Sequence, residues 1–267
     1  MIVPIDDPAD PRLADYRLLH GAAALRTQAD DTHFVAEGWA AIARTLDSGH
    51  SLRSLLLLPA RLDRLRQDFP DLADSDLPVH VAEREVLQAT VGFDVHRGVL
   101  AAAERKPAPR VDDLASAATR LAVLEGLNDA ENVGVISRAA RALRVDGLVL
   151  DPTCTDPYAR RTVRVSMGEV LHLPAARASR WPEALDRLAT HGFETWALTP
   201  DEGASDIWSL PVPNRLALVL GAEGPGLSAA VMERASRRVR IPIADDVDSL
   251  NVGHAAAVAF AITGRPE

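Results

Sequence analysis

The sequence predicts an α/β protein of two parts, and three observations carry that prediction. Helical periodicity alternates with short runs of strand-type residues along the whole chain. The run Leu216–Leu220 is continuously apolar, as a parallel strand covered on both faces must be. A charged, proline-bearing segment, Glu104-Arg-Lys-Pro-Ala-Pro-Arg, separates two α/β series. The chain of 267 residues is long enough for two ordinary domains, and its 47% hydrophobic content can supply a core for each. The expected division is a loose leader over 1–11, an α/β domain over 12–105, a linker over 106–114 and a second α/β domain over 115–267.

The elements follow in order. Residues 1–11, rich in proline and aspartate, read as unstructured. Helices are expected over 12–27 and Glu37–Leu46, a strand over Ser51–Leu58 and a helix over 60–68. Val79-His-Val is a short strand, Glu83–Ala89 a short helix and Gly98–Ala102 a strand. Beyond the linker, Leu121–Leu124 is a strand. Val133–Leu143 is a helix, with Val135, Ile136, Ala139, Ala140 and Leu143 on its apolar face and Ser137, Arg138, Arg141 and Arg144 opposite. Leu148–Leu150 is a strand, Pro182–Thr190 a helix and Glu194–Leu198 a strand. After Leu216–Leu220 come a helix over Ser228–Ala235 opened by a capping serine, a strand over Val239–Ile243 and an alanine-rich helix over Val252–Ile262. No internal repeat or low-complexity tract interrupts the series.

Composition excludes several classes of function. The single cysteine, Cys154, allows neither an internal disulfide framework nor a thiolate zinc cluster, and a reducing cytoplasm fits it. The N-terminus lacks a basic region and a long apolar run, so no signal peptide is expected there. Leu55–Leu58 and Leu216–Leu220 are far too short to span a bilayer, so no membrane partner is expected. The net charge of −9 argues against nucleic acid on its own, yet the basic residues cluster. Lys106 is the only lysine. Arginines gather at Arg160, Arg161, Arg164, Arg177 and Arg180, and again at Arg234, Arg237, Arg238 and Arg240. Each cluster reads equally as an ordinary solvated face.

Three stretches could carry chemistry. In Asn128–Arg138, Asn132 stands at a helix start, where its amide can cap free N–H groups. Gly134 permits close approach to the first turn, and Arg138 points off the apolar face. In Leu216–Ser228 a buried strand runs into a turn with the spacing Gly221-x-x-Gly224-x-Gly226. That spacing is neither a dinucleotide fingerprint nor a phosphate loop. Glu223 in that turn would repel a pyrophosphate and suit a sulfonium or amino group. In Ile241–Val252, Asp245, Asp246 and Asp248 crowd a loop, and Ser249 and Asn251 precede a helix. Each stretch has a plain structural reading beside the functional one: an N-cap with a surface arginine, a strand–turn–helix connection, a solvated acidic loop. The aspartate spacing does not make a calcium loop, and no metal is expected. No histidine pair has zinc-protease spacing and no nucleophile elbow occurs. The scattered histidines His20, His33, His50, His80, His96, His172 and His191 read as structural, and Cys154 as an inert buried thiol.

Taken together and in order, these stretches resemble a known family. Asn-x-Gly-x-x-x-Arg, a strand ending Gly-x-Glu-Gly-x-Gly-Leu, and Ile-Pro-x…Ser-Leu-Asn-Val before an alanine-rich helix are similar to the three signature motifs of the SpoU/TrmH branch of the SPOUT RNA methyltransferases. The likeness runs from about Leu121 to Ile262 and takes in Asp156–Pro174. Phe34-Val-Ala-Glu-Gly and His96-Arg-Gly-Val-Leu-Ala carry a weaker likeness to the family's ribosomal-protein-like substrate-binding domain. The resemblance implies a trefoil knot in a C-terminal SPOUT domain, S-adenosylmethionine as cofactor, a homodimer and an RNA substrate, ribosomal RNA first. By motif position it implies functional roles for Asn132, Arg138, Glu223, Ser249 and Asn251. It also implies cofactor contacts from Leu220, Gly221, Ala222, Glu223, Gly224, Ile241, Ile243, Ser249 and Leu250. RNA contacts are expected from Arg138, Arg160, Arg161 and Arg164. The chain departs from the family at Gly253-His254, at Leu143-Arg144 and at Ala130. A transfer-RNA 2′-O-methyltransferase and a non-catalytic RNA-binding homologue are the alternatives.

The implied reaction moves a methyl group from a sulfonium to a ribose 2′-hydroxyl. Alignment supplies roughly 7–11 kcal/mol in well-oriented cases. Bringing an arginine from above about 12 to about 7 to serve as base would cost on the order of 7 kcal/mol. Arg138 is therefore expected to clamp a substrate phosphate, with that phosphate helping to take the proton.

Overall fold

The computed structural model describes residues 1–17 and 32–264. The chain falls into two compact units, Met1–Lys106 with Tyr158–Leu171, and Pro107–Pro157 with His172–Glu267. The boundary at Lys106 lies in the segment read as linker. The continuous second domain expected over 115–267 is interrupted, because Tyr158–Leu171 joins the first unit.

The first unit begins with β1 (Ile2–Ile5), β2 (His33–Glu37) and α1 (Trp39–Asp47). It continues through β3 (Leu52–Leu57), α2 (Leu62–Asp68), α3 (Pro70–Ala73), β4 (Val79–Ala82), α4 (Arg84–Val91) and β5 (Val99–Glu104). The sheet order is β1-β4-β3-β5-β2, parallel across β1, β4 and β3, antiparallel at β5 and β2. The expected loose leader is corrected here. Ile2, Val3 and Ile5 are good strand formers, and β1 lies parallel to β4 with Ile2 opposite Val79. Residues 11–16 form a 3₁₀ turn rather than the start of an α-helix, and residues 18–27 of that expected helix lie outside the described residues. Glu37 closes a strand instead of opening a helix; Gly38, at φ +89°, makes the corner into α1.

The second unit contains α5 (Val111–Ala117), β6 (Arg120–Glu125), α6 (Ala130–Ala142) and β7 (Gly147–Leu150). The chain then passes through α7 (Arg160–Val165), whose Val163 is fully buried in the core of the first unit. It continues with β8 (Ala175–Arg177), α8 (Ala184–Thr190), β9 (Glu194–Leu198), β10 (Ser205–Asp206) and β11 (Leu216–Gly221). It ends with α9 (Ala229–Arg234), β12 (Arg237–Arg240) and α10 (Val252–Thr263). The order β10-β12-β9-β11-β6-β7-β8 is parallel throughout. The continuously apolar β11 sits between β9 and β6, with residues facing the cores on both sides of the sheet.

One helix face differs from the reading. On α6 the buried positions are Val133, Gly134, Ile136, Ser137 and Ala140, while Val135 is exposed. Ser137 is buried because its hydroxyl donates to the Val133 carbonyl one turn back, at 2.6 Å, and so brings no unpaired polar group into the core.

Candidate functional site

A parallel sheet collects the loops that leave its strands at one edge, where ligands of open α/β sheets bind. Here the carboxyl ends of β9, β11 and β12 open into a cavity of about 470 Å³. Leu198, Thr199 and Pro200 come from the end of β9. Leu220, Gly221, Ala222, Glu223, Gly224 and Gly226 come from β11 and its turn. Ile241, Ile243, Ser249, Leu250, Asn251, Val252 and Ala255 come from the loop after β12 and the start of α10. The walls are mostly aliphatic side chains and open backbone, with few polar groups, a mixture suited to a small organic ligand.

The glycines of the β11 turn serve its shape. A Cβ on Gly221 would stand 2.5 Å from the Leu227 nitrogen and 2.6 Å from the Gly226 carbonyl oxygen, so no side chain fits there. Gly224 and Gly226 take positive φ, +84° and +68°. The turn closes on itself as the Gly226 N–H donates to the Ala222 carbonyl at 3.0 Å. Glu223 stands exposed at its tip.

Asn251 joins three distant segments. Its side-chain oxygen caps α10, accepting from the Gly253 N–H at 2.9 Å and the His254 N–H at 3.3 Å. Its amide nitrogen donates to Asn132 Oδ1 at 3.2 Å and to Glu223 Oε1. The amide orientation is thereby set by two acceptors on one side and two donors on the other. Asn132 is not itself the cap of α6. Asp129 fills that place, accepting from the Glu131 N–H at 2.9 Å, and Asn132 turns its side chain to Asn251 instead. Close approach of the two helices is possible because residue 253 is glycine. A Cβ there would lie 2.7 Å from Val135 Cγ1.

The residues singled out from sequence are thus placed as follows. Asn132, Glu223 and Asn251 are directly hydrogen-bonded. Ser249 lines the cavity with Leu220, Gly221, Ala222, Gly224, Ile241, Ile243 and Leu250. Arg138 is exposed on α6 and is not among the lining residues. Arg160, Arg161 and Arg164 lie on α7 in the first unit. Arg160 is largely buried, ion-paired with Glu37, and its guanidinium lies 3.8 Å from the Phe93 ring centre. Burial pulls its pKa below the usual arginine value, against the pull of Glu37. Arg160 therefore packs within the first unit, with its charge answered by Glu37. Asp245, Asp246 and Asp248 form an exposed loop, and no group of side chains among the described residues has the makings of a metal site.

Sequence reading missed the β9 wall, Leu198-Thr-Pro200, and two buried carboxylates at strand ends. Asp151, after β7, accepts from the N–H groups of Gly126 and Cys154 at 3.1 and 2.7 Å and so holds the loop that enters α6. Glu125 ends β6 beside Gly221. The signal that could have found them is position: both are acidic residues ending apolar strands.

Residues 119–261 match the model of the SpoU rRNA Methylase family. The chain is 43% identical over 258 residues to an uncharacterized tRNA/rRNA methyltransferase of Mycobacterium tuberculosis (strain ATCC 25618 / H37Rv), covering 95% of this chain and 88% of the relative. Its fold is similar to that of an AdoMet-bound rRNA methyltransferase from Sinorhizobium meliloti. The TM-score is 0.81 at 23% identity, over 98% of this chain and 97% of the other. It is also similar to a solved RNA 2′-O ribose methyltransferase, with TM-score 0.75 and 27% identity over 98% of each chain.

Proposed function

The chain belongs to the SpoU rRNA methylase family of RNA methyltransferases, and from that premise we propose that it methylates a ribose 2′-hydroxyl of RNA, ribosomal RNA first, with S-adenosylmethionine as donor. The observation that carries this reading is the Asn251 amide bridging Asn132 and Glu223 at the cavity rim. The cavity suits the donor. Its aliphatic walls match an adenine face, its open backbone at Gly221–Gly226 offers peptide groups to polar edges, and the Glu223 carboxylate complements a cation. When bound, the donor supplies a methyl group on a positively charged sulfur. Asn251 holds Glu223 in place, and Ser249 and Leu250 close the wall beside it. The target is RNA because only RNA has the 2′-hydroxyl.

Arg138 stands six residues beyond Asn132, roughly 9 Å along the helix at 1.5 Å per residue. That offset suits a grip on a neighbouring phosphate better than contact with the reacting hydroxyl. The proton then leaves with help from that phosphate. Arg161 and Arg164 are proposed to add RNA contacts from the first unit. The homodimer is supported by apolar residues left partly or fully exposed, Ala257, Val258 and Ala261 on α10 and Val135 on α6. The trefoil knot is supported by the return of the last helix, α10, to pack on α6, the second helix of its unit. A transfer-RNA target is the second reading, since the M. tuberculosis relative is known as a tRNA/rRNA methyltransferase.

Calorimetric titration with S-adenosylmethionine tests the donor, and mapping of 2′-O-methyl positions in cellular RNA with and without the protein tests the acceptor. Base methylation in place of ribose methylation overturns the reading. Substitution is preferred to removal of residues 1–105, because Tyr158–Leu171 packs with them.

A further inference from the structure

The turn that carries Glu223 is anchored at both ends by one residue outside the cavity. Glu125 is 8% exposed and is the last residue of β6. Its backbone pairs with Gly221, where the turn begins. Its carboxylate reaches Ser228, where the turn ends. Oε2 accepts from the Ser228 N–H at 2.8 Å, and Oε1 accepts from the Ser228 hydroxyl at 2.7 Å and from Trp181 Nε1 at 2.7 Å. Ser228 Oγ also accepts from the Val231 N–H at 3.3 Å and so caps α9. The fixed span between the two ends obliges the chain between them to fold back, pressing Gly221 against the backbone of Gly226 and Leu227.

We propose that Glu125 is the positioning residue of the donor site: through Ser228 it holds the Gly221–Ser228 turn, and with it Glu223, in the shape that binds S-adenosylmethionine. This rests on the donor assignment above. Every atom facing the carboxylate is a donor. A glutamine at 125 is nearly the same shape but carries two N–H donors on one side. Turned one way it opposes the Ser228 N–H, and turned the other it opposes the Trp181 N–H. Either way a partly buried donor faces a donor.

The full-length chain and its variants Glu125→Gln, Ser228→Ala, Ser228→Thr and Glu125→Gln/Ser228→Ala are titrated with S-adenosylmethionine. Amide exchange is followed over residues 221–228 without ligand, and transfer is assayed at saturating donor. Glu125→Gln is expected to weaken donor affinity about tenfold, with faster exchange confined to 221–228 and less than about a twofold change in saturated rate. Ser228→Ala is expected to lose about threefold, Ser228→Thr to stay near wild type, and the double variant to bind no worse than Glu125→Gln alone. Wild-type affinity in Glu125→Gln, faster exchange spread across the whole unit, or additive losses in the double variant would each overturn the proposal. A wild-type chain that binds no donor would reject the cofactor assignment, and ligand-free exchange over 221–228 would then decide the role of Glu125 by itself.

Discussion

The two sheets handle buried charge in opposite ways. In the first unit, antiparallel strands at β5 and β2 send loops to both ends of the sheet. The buried charges there answer one another, Glu37 with Arg160, and a phenol closes the core. Tyr16 is fully buried; its hydroxyl donates to the Ser54 carbonyl at 2.8 Å and accepts the Ala102 N–H at 3.1 Å, and burial drives its pKa well above the usual tyrosine value. In the second unit every strand runs the same way, so the loops leaving the carboxyl ends share one edge. There the carboxylates of Glu125 and Asp151 bond backbone N–H groups and shape loops. The contrast teaches that parallel topology gathers polar groups where a ligand can use them, whereas mixed topology lets them be neutralised in place.

The contrast is tested most severely at Glu37. Replacing it with alanine leaves Arg160 buried without its carboxylate, beside the like charges of Arg164 and Arg161. We expect a loss of about 3–5 kcal/mol in unfolding free energy, read by chemical denaturation, with donor affinity unchanged. A fall in donor affinity without loss of stability would break the comparison. Next in size is Asn251→Ala, which removes both the α10 cap and the bridge. Single-turnover methyl transfer should fall roughly 10²-fold, with a stability cost of about 1 kcal/mol from the lost cap. Arg138→Ala should slow transfer while leaving calorimetric donor affinity intact, which sharpens the separation of RNA grip from donor site. Gly253→Ala should cost about 1–3 kcal/mol by pushing against Val135, and the double variant with Val135→Ala should recover part of it.

The smallest effect concerns Cys154. Burial, then its contact with Asp151, pushes the thiol up to about 12 from an ordinary 9.0. The native state therefore holds this proton more tightly than the unfolded chain. The associated stability is whole below pH 9 and is lost as pH rises towards 12. Alkylation of the native protein at pH 8 should be far slower than of the denatured chain. Equal rates would mean that the second core is open around it.

Much of this was legible in the sequence because the determinants are local. Leu216–Leu220 is apolar on both faces, Ser228 caps α9, and Asn251 precedes an unbroken helical pattern. What escaped depends on distant partners. The β1 strand exists because β4 offers it an edge. Ser137 is tolerated inside because a carbonyl one turn back accepts a hydrogen bond from its hydroxyl. Arg160 looked like a solvated base until Glu37, 123 positions earlier in the chain, proved to face it. Within the site, motif order pointed to the cavity wall from β11 onward. The β9 wall, Leu198-Thr-Pro200, carries no distinctive residue, and only its strand end reveals it.

The Asn251 amide has a consequence for how the protein ages. Asparagine is among the thermolabile residues, and slow hydrolysis of this one side chain would replace its NH₂ with an anionic oxygen. The helix cap would survive, since that oxygen still accepts from Gly253 and His254. The bond to Asn132 would survive only with the Asn132 amide turned to donate, and Glu223 would meet a like charge where it now meets a donor. A preparation left warm would then stay folded while its molecules failed one by one, a decline that mass spectrometry sees and a melting curve does not.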